Sequence, residues 1–580
     1  MTLGLDVSSP ARAAGSATGP DFRDDPLSLE GRGWSSVSTD CQPKIAALSS
    51  LANLSPPEAT GSVSYQSRGN VLVIAGSDAE RARHAAEALA GVLHVTLLGA
   101  KSALAGVTSW SGHVESLAGY LGEFNAIVSG LNGATHPAPV KFDLVLDFSA
   151  EPLFAMRQPP QGYHHAGGGD DAAILDELRE SVGEFEKPRY FGYRENICAH
   201  SRSQIVGCNA CVEICSTGAI SADGDHVKVD PHLCMGCGAC STVCPSGAMS
   251  YQFPRLADRG AQMKQVLSAY RDAGGRDACL VFHNAIDGRE LLGQSASTGA
   301  GLPARALPLP TWHVASVGLD LLLPAIAYGA CQVVVLCAGS EDREYIEALR
   351  EQMALGETIL HGLGYDGTHF AMVEAHTPAA LEQAFGALGP AQVPKSAATF
   401  LLSNDKRTAI EFAVEHLAKM APAKVDEIAL PEGAPWGEIR VDRAACTMCM
   451  ACVGACPESA LMDGVDQPLL KFLERNCVQC GLCEATCPEE AISLHARLLL
   501  TPAVREARVV NETEPFNCLL CKKPFGTRQV VETMIGRLTG HSMFANEAAL
   551  RRLQMCADCR VVDMMSSKDE MSVLKMGGHD

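Results

Sequence analysis

Hydrophobic runs alternate with amphipathic stretches in two parts of the chain. In the first part, NVLVIA, HVTLLGA and FDLVLDF predict buried strands, and DAERARHAAEALAGV has the period of a helix. In the second part, ACLVF, QVVVLC and HFAMVEA predict strands, and SVGLDLLLPAIAYG and EDREYIEALREQMAL predict the helices that connect them. The alternation indicates two α/β spacer domains, at residues 69–155 and 256–395.

The remaining boundaries follow from composition. Residues 1–68 are rich in Ser, Gly, Ala and Pro without a sustained period, which predicts a flexible arm. The stretch RQPPQGYHHAGGGDD predicts a linker at 156–190, in which His164 and His165 are interpreted as solvated loop residues rather than metal ligands. The other predicted segments are two cysteine-dense domains at 191–255 and 441–500, a connector at 396–440 and a C-terminal cysteine module at 501–580.

Charge and cysteine content narrow the classes of function. The 580 residues carry a formal net charge of −21 and only 5% aromatics, which argues against nucleic acid or anionic lipid as the main ligand. An acidic protein suits partners with a basic docking face. No export signal or membrane span is predicted, because the longest apolar run, Leu319 to Gly339, is interrupted by Asp320 and Pro324. We therefore expect a cytoplasmic protein, whose 24 cysteines do not form disulfides.

The second cysteine-dense domain repeats one spacing twice. Cys-x2-Cys-x2-Cys-x3-Cys-Pro begins at Cys446 and again at Cys477, a spacing typical of paired four-iron, four-sulfur clusters. Three thiolates on a tight loop hold one cluster, and the fourth reaches the neighbouring cluster. The spacing therefore predicts two crossed ligand sets, and zinc is disfavoured for eight cysteines in this arrangement. The first set is Cys446, Cys449, Cys452 and Cys487, and the second is Cys477, Cys480, Cys483 and Cys456.

The first cysteine-dense domain has the same design with one departure. Its downstream half is regular, whereas the upstream half, Cys208-x2-Cys211-x3-Cys215, lacks its first ligand at the expected place. Cys198 replaces that ligand if the stretch ICAHSRSQIVGCNAC loops out; in the alternative, the site has three cysteines and Cys198 is free. The predicted sets are Cys198, Cys208, Cys211 and Cys244, and Cys234, Cys237, Cys240 and Cys215.

Both domains resemble bacterial-type dicluster ferredoxins. Besides the cysteines, the segments STGAI, PSGAM, PESAL and PEEAI follow the fourth cysteine of each half as they do in that family. The resemblance implies a ββαββα fold with two-fold pseudosymmetry and transfer of single electrons. Four [4Fe-4S] clusters are therefore expected in the chain.

A third cysteine set closes the chain. Cys518-x2-Cys521 and Cys556-x2-Cys559 are separated by 34 residues, within which TRQVVETMIGRL predicts a helix. Two Cys-x2-Cys pairs indicate a closed tetrahedral site, so we predict one structural Zn²⁺, with an iron site or a further cluster as the alternative. The remaining cysteines are interpreted as buried or unpartnered residues without a functional role: Cys41, Cys279, Cys331 and Cys337.

The spacer domains carry no fingerprint of an organic cofactor. The one Gly-x-Gly-x-x-Gly, Gly362 to Gly367, follows a predicted helix and precedes a strand, the reverse of the order that binds a pyrophosphate. No Walker motif or HExxH sequence occurs. Residues 277–340 resemble the delta subunit of methyl-viologen-reducing hydrogenase, but most of the cysteines of that family are absent. His283 is interpreted as hydrogen-bonded rather than as a ligand. The resemblance implies a docking scaffold.

The order of the domains resembles that of the large iron–sulfur proteins associated with bacterial formate dehydrogenases. The leading hypothesis is a cytoplasmic polyferredoxin that relays single electrons from a redox enzyme, formate dehydrogenase among the candidates, to another partner. Two alternatives stay open: an iron–sulfur subunit of a flavin- or nicotinamide-dependent oxidoreductase, and a cluster-based assembly or sensor protein. The sequence favours an electron carrier over a stand-alone enzyme, and it names no catalytic residue.

Overall fold

The structure is a computed structural model, and it describes most of the chain in two compact units. The described residues are 41–167, 171–299, 301–339, 341–464, 467–544 and 546–566. The first unit comprises the described residues up to 195 together with 209–223 and 227–422, and the second comprises 196–208, 224–226 and the described residues from 423 onward. The predicted flexible arm lies outside the described residues as far as residue 40. No helix among the described residues is long and apolar enough to span a bilayer.

The first α/β domain occupies residues 62–188. Helix α1 (Gln42–Ser49), which precedes it in the chain, packs on the helix Leu256–Asp272 of the second α/β domain. The helices of the first domain are α2 (Ala79–Leu89) and α3 (Asp171–Glu180). Its strands are β1 (Ser62–Ser67), β2 (Asn70–Ile74), β3 (His94–Leu98), β4 (Val107–Trp110), β5 (His113–Ala118), β6 (Phe124–Ser129), β7 (Ala138–Phe142), β8 (Leu144–Asp147), β9 (Tyr163–His165) and β10 (Gly183–Pro188).

A five-stranded parallel sheet forms the centre of this domain. Its order is β4-β3-β2-β8-β9, which confirms the three predicted strands and places them side by side. Strand β2 is almost fully apolar because both of its faces are covered, one by α2 and α3 and the other by the antiparallel sheet β5-β6-β7.

Two boundary predictions differ from the structure here. Residues 41–68 carry α1 and β1 instead of a flexible arm, and β1 pairs with β10. The predicted linker at 156–190 carries β9, α3 and β10. Its two histidines lie in β9 and are half-buried; His165 Nε2 lies 2.8 Å from the Ser149 carbonyl oxygen, and burial lowers the pKa of His164 to about 4. The prediction that they are solvated was wrong. The Pro/Gly-rich residues on either side indicated a loop, although the segment between them forms a short edge strand.

The first cysteine-dense domain follows. Its strands are β11 (Phe191–Tyr193), β12 (Ser201–Arg202), β13 (Ile205–Val206), β14 (Ile220–Asp223), β15 (His226–Val229) and β16 (Met249–Tyr251), and its helices are α4 (Ala210–Ile214) and α5 (Ala239–Val243). Apart from the hairpin β12-β13, the order is βαββαβ, with β11 paired to β16 and β14 to β15. This order differs from the expected ββαββα. One strand, β11, precedes the first helix, and its partner β16 follows the second helix.

The second α/β domain spans residues 256–420. Its strands are β17 (Cys279–Asn284), β18 (Ala306–Thr311), β19 (Gln332–Cys337) and β20 (Phe370–Glu374). Its helices are α6 (Leu256–Asp272), α7 (Asp287–Thr298), α8 (Leu319–Ala327), α9 (Arg343–Gly362), α10 (Pro378–Gly386) and α11 (Lys406–Met420). The strands form a parallel sheet in the order β18-β17-β19-β20, which confirms the predicted strands and adds β18. Helix α11 packs on α8, so the predicted connector at 396–440 begins inside this domain.

The second unit holds the second cysteine-dense domain and the C-terminal module. Its strands from residue 427 are β21 (Glu427–Ala429), β22 (Gly437–Val441), β23 (Leu461–Asp463), β24 (Leu469–Phe472), β25 (Ile492–Leu499), β26 (Arg508–Glu512), β27 (Pro515–Asn517) and β28 (Pro524–Thr527). Its helices are α12 (Ala451–Ala455), α13 (Leu482–Ala485), α14 (Arg528–Leu538), α15 (Glu547–Arg552) and α16 (Ala557–Ser566). From β22 to β25 the order is again βαββαβ, and β22 pairs with β25.

Candidate metal centres

Three cysteine loops share one backbone conformation. In each, the residues on both sides of the second cysteine have positive φ: Gly236 and Gly238, Met448 and Met450, and Gln479 and Gly481. Alternating left-handed residues turn successive backbone N–H groups toward one concave side, an arrangement found around iron–sulfur clusters. Glycine is required at position 238 for a second reason, since a Cβ atom there would lie 2.5 Å from the Cβ of Ser316. The short Cys-x2-Cys-x2-Cys spacing thus folds into an anion-binding cradle.

The fourth cysteine of each half follows a short helix, as the spacing predicts. Helices α4, α5, α12 and α13 end one or two residues before it. The third residue beyond the cysteine then has positive φ in all four halves: Gly218, Gly247, Ser459 and Glu490. In three halves this turn aims a backbone N–H at the cysteine Sγ, at 3.2 to 3.4 Å, from Met249, Ala460 and Ala491. The repeated segments after the cysteines therefore hold the sulfur by hydrogen bonds.

Two cavities in the second unit gather the cysteines of its dicluster motif. One is lined by Cys446, Cys449, Cys452 and Cys487, and the other by Cys456, Cys477, Cys480 and Cys483. Each cavity therefore combines three cysteines of one loop with the fourth cysteine of the other, which is the crossed grouping that the sequence predicts. Apolar side chains such as Leu470 and Phe472 complete the linings.

In the first unit, Cys215 lies near enough to Cys234, Cys237 and Cys240 for its thiolate to raise the pKa of all three. Burial raises the pKa of Cys240, and the neighbouring thiolates of this set raise it further. The sequence did not predict which side chains contact this cysteine loop. The Trp312 indole donates to the Met235 carbonyl oxygen over 3.2 Å, and Lys187 Nζ donates to the Cys234 carbonyl oxygen over 2.9 Å.

Tyr345 is a further residue that covers this group. It lies on α9 of the second α/β domain, is buried, and its hydroxyl is hydrogen-bonded to Ser216 Oγ. Burial raises the pKa of the Cys237 thiol, and the Tyr345 hydroxyl opposes that rise by stabilising the thiolate. A sulfur bound to iron has no proton, so Tyr345 must then donate to it and accept from Ser216. Residues about one hundred positions apart thus meet at one thiolate, which no local pattern reveals.

The irregular half is organised around a hairpin. Strands β12 and β13 are joined by Ser203 and Gln204, both with positive φ, the geometry of a tight two-residue turn. The Cys208 N–H donates to the Ala199 carbonyl oxygen over 2.9 Å, so the intervening stretch loops out and Cys198 is adjacent to the residue that pairs with Cys208. The left-handed pair of the regular loops is missing beside Cys208, since neither Gly207 nor Asn209 has positive φ.

The members of the fourth predicted set are divided between the units. Cys198 and Cys208 belong to the second unit, and Cys211 and Cys244 to the first. Their grouping into one ligand set stays a prediction from the spacing.

The donor chemistry of the regular sets fits a metal cluster. Burial, with a smaller contribution from adjacent thiolates, raises the pKa of Cys452 to about 12 and that of Cys480 to about 11. Four such thiols lose their protons together only when a cation replaces them. Among the described residues, no three of these cysteines have all their sulfurs within 4.8 Å of one another, as the C-terminal four do. Such wider spacing suits a cluster of several metal atoms that stands between the sulfurs.

The C-terminal cysteines form a tighter group. The four sulfurs of Cys518, Cys521, Cys556 and Cys559 lie within 4.8 Å of one another, and the Cys521 and Cys556 sulfurs are 3.7 Å apart. Metal–sulfur bonds of about 2.3 Å in a tetrahedron place sulfurs about 3.8 Å apart. Burial opposes charge on Cys518, but backbone N–H groups of Cys521, Cys556 and Leu520 outweigh it and lower its pKa to about 6. This group could hold a single metal ion.

Local structure positions these four sulfurs. The Cys518 N–H donates to the Lys523 carbonyl oxygen, which closes a turn between β27 and β28. Helix α14 fills the predicted helical part of the gap, and Cys556 directly precedes α16.

All but one of the residues to which no role was given are placed as expected. Cys279, Cys331 and Cys337 are buried, and His283 is buried with Nδ1 2.9 Å from the Asn284 carbonyl oxygen. Cys41 differs from its prediction as a residue of a flexible arm, since it is buried directly before α1. The segment from Gly362 to Gly367 connects the end of α9 to β20, so its order is helix, loop, strand.

Comparison with known families matches two parts of the chain. Residues 206–248 and residues 438–488 each match a model described as a 4Fe-4S dicluster domain. The chain thus contains two 4Fe-4S dicluster domains. Together they cover less than a fifth of it, and the first match begins after Cys198. No curated protein matches the chain.

Proposed function

We propose that this protein is a cytoplasmic polyferredoxin that relays single electrons between redox partners through four [4Fe-4S] clusters. The observation that supports it best is the pair of cavities in the second unit, each lined by four cysteines in the crossed grouping. Crossed ligation brings two clusters into one small domain, which suits passage of an electron from one to the next. The ligand sets are those predicted from the spacing, with Cys198 completing the irregular one.

A bound four-iron cluster supplies one-electron redox chemistry. The chain's own residues determine how it is held. Left-handed loop residues would present N–H groups to it, and apolar side chains such as Phe472 would limit access of water. Backbone N–H groups from the turns after Cys244, Cys456 and Cys487 would stabilise those thiolates.

Docking is proposed to be electrostatic. The net charge of −21 favours partners with a basic face, and a redox enzyme such as formate dehydrogenase is the candidate donor that the domain order suggests. The α/β domains would serve as spacers and docking scaffolds beside the clusters.

We also propose that the C-terminal cysteines hold one structural Zn²⁺. A closed set of four thiolates leaves no position for substrate, and the sulfur separation of 3.7 Å suits a single tetrahedral ion. The ion would fix the hairpin β27-β28 against α16.

Metal analysis and reductive titration test the proposal. Protein purified without oxygen should contain about sixteen iron and sixteen sulfide per chain and take up about four electrons, since each cluster cycles one. About eight iron would contradict the four-cluster proposal and indicate that one dicluster domain is degenerate. A stoichiometric flavin, or oxidation of NADH by the isolated chain, would instead support the oxidoreductase-subunit alternative.

A further inference from the structure

Three metal-binding side chains converge in the second α/β domain, away from the cysteine motifs in sequence. Glu357 and His361 lie one helical turn apart near the end of α9, and His369 directly precedes β20. One ligand atom from each lies within 4.8 Å of the others. None of the three residues belongs to a predicted ligand set, although His369 is the first residue of the predicted strand HFAMVEA.

The hydrogen bonds of His369 call for a positive charge at its Nδ1. This imidazole is fully buried, and its Nε2 lies 3.0 Å from the Gln392 carbonyl oxygen, which can only accept. Nε2 therefore carries a proton. Nδ1 lies 3.0 Å from Glu357 Oε2, another acceptor. In the neutral ring, the Nδ1 lone pair would face the carboxylate oxygen, so either a proton or a metal ion must lie between them.

Glu357 is held in the orientation that a ligand needs. Its Oε1 accepts from the backbone N–H groups of His369 and Phe370 at 2.6 and 2.8 Å, which leaves Oε2 directed at the imidazole. The bond from His369 Nε2 to Gln392 fixes the ring in the same way. Such hydrogen bonds are typical of metal ligands, because the nitrogen or oxygen that does not bind the metal is usually hydrogen-bonded to another group of the protein.

The position of His361 favours a metal ion over a shared proton. A shared proton needs only Glu357 and His369, yet His361 Nε2 also lies 3.5 Å from Glu357 Oε2. Bonds of about 2.1 Å in a tetrahedron separate ligand atoms by about 3.4 Å, close to the observed 3.0 and 3.5 Å. His361 Nε2 is also 3.0 Å from the Gly367 carbonyl oxygen, so its proton must move to Nδ1 before a metal binds. The side chain is 56% exposed, which gives an ion a path from solvent.

We propose that Glu357, His361 and His369 bind a Zn²⁺ ion through one carboxylate oxygen and two imidazole nitrogens. The remaining position faces solvent beside His361 and takes water. Mixed nitrogen and oxygen ligands suit zinc among the common ions, and they separate this site from the all-thiolate one at the C-terminus. The ion ties the end of α9 to the start of β20, and this site does not depend on the proposed electron transfer.

Zinc binding by the full-length, cluster-loaded protein tests the site. The free zinc concentration is set with a chelator, and bound zinc and iron are measured after gel filtration. His361→Ala removes an exposed ligand and should fold normally, yet it should bind one zinc fewer than wild type, with affinity at this site lowered about 100-fold or more. His416→Ala is the matched control, because that half-buried helical histidine also contacts a carbonyl oxygen through Nε2.

Two further readouts complete the test. Glu357→Gln should likewise lose one zinc. In protein whose C-terminal cysteines are already saturated with zinc, further zinc should raise the melting temperature of wild type and of His416→Ala but not that of His361→Ala. Iron content should be equal in all four proteins, so the result does not depend on the clusters. Equal zinc in wild type and His361→Ala, with no zinc-dependent melting shift in either, would overturn the proposal and leave a proton between His369 and Glu357.

Discussion

The thiolate of Cys237 is stabilised by the hydroxyl of a tyrosine from another domain. Tyr345 is buried at this position, and its hydroxyl is in turn bound to Ser216. Hydrogen bonds to cluster sulfurs raise the reduction potential, because they stabilise the more negative, reduced state. The second α/β domain therefore tunes a cluster as well as covering it, if the proposed cluster is bound there.

Replacing this tyrosine should lower one potential. Tyr345→Phe keeps the ring and removes the donor, so we expect the midpoint of one cluster to fall by about 20–60 mV, equivalent to about 0.5–1.5 kcal/mol. Potentiometric titration followed by EPR measures it, with iron content unchanged. Tyr365→Phe is the control, since its buried hydroxyl donates to the Leu417 carbonyl oxygen instead. Equal shifts in both variants would refute a specific role for Tyr345.

Cys198 is the residue on which the fourth cluster depends. Its hairpin places it next to the residue that pairs with Cys208, as a ligand that replaces the missing position requires. If it ligates, Cys198→Ser should lower iron from about sixteen to about twelve per chain and remove one EPR signal. Cys41→Ala serves as the control, because Cys41 belongs to no cysteine motif. Unchanged iron and spectra would show that Cys198 is free.

At the scale of elements, the cysteine helices are too short to be stable alone and depend on contacts from elsewhere. Helix α5 has only five residues, and the carbonyl groups at its C-terminal end are bound by a distant side chain. Lys406 Nζ, at the start of α11, donates to the carbonyl oxygens of Ser241, Thr242 and Cys244 at 2.6 to 3.0 Å. A lysine at this end also interacts favourably with the helix dipole.

Removing that lysine should weaken the first dicluster domain. Lys406→Met keeps the aliphatic chain but leaves partly buried carbonyl groups without their donor, so the free energy of unfolding of the first unit should fall by about 2 kcal/mol. Chemical denaturation measures the change. Lys419→Met, near the exposed end of the same helix, should change stability by less than about 0.5 kcal/mol. A loss of similar size in both variants would contradict the capping role.

In the C-terminal module, too, short elements depend for their stability on side chains that are distant in sequence, here the four cysteines. Strands β27 and β28 and helix α16 expose most of their surface and contribute little apolar core. If an ion joins them, Cys556→Ser should remove one zinc, leave iron unchanged, and make the segment after residue 501 susceptible to proteolysis. Zinc analysis and limited proteolysis of wild type and variant provide the measurement. Absence of stoichiometric zinc from the wild type would refute the zinc assignment.

For the whole molecule, charge is the property that governs encounter with partners. The 67 acidic and 46 basic side chains give the net charge of −21, before any charge on bound clusters is counted. Attraction between exposed charges is screened over about 8–10 Å at physiological ionic strength. Association with a basic partner should therefore be fast at low salt and slow at high salt.

Salt dependence of electron transfer tests this property. Raising ionic strength should slow reduction by a basic redox protein at least about 10-fold, as measured by loss of the visible cluster absorbance in stopped flow. An uncharged small reductant should show little change and serves as the control. An equal response to both reductants would show that electrostatic attraction does not control docking.

The sequence by itself determined the two dicluster motifs, because a three-ligand loop and a short helix are encoded in consecutive residues. It also determined the parallel strands β17 and β19, since a strand buried on both faces must be continuously apolar. The sequence did not reveal every element. Strand β9 and helices α3 and α11 lie in segments whose polar or Pro/Gly-rich composition predicted linkers.

Only the tertiary structure decided what surrounds the cysteines. Tyr345 reaches Cys237, Lys406 reaches the end of α5, and His369 meets Glu357, although each pair is separated by intervening chain that carries no signal of the contact. The physical reason is that ligand spacing is a local constraint, whereas burial, hydrogen bonding to a sulfur and convergence of imidazole with carboxylate depend on how sheets and helices pack. Periodicity predicts which face of an element is buried, but not which polar atom it meets there.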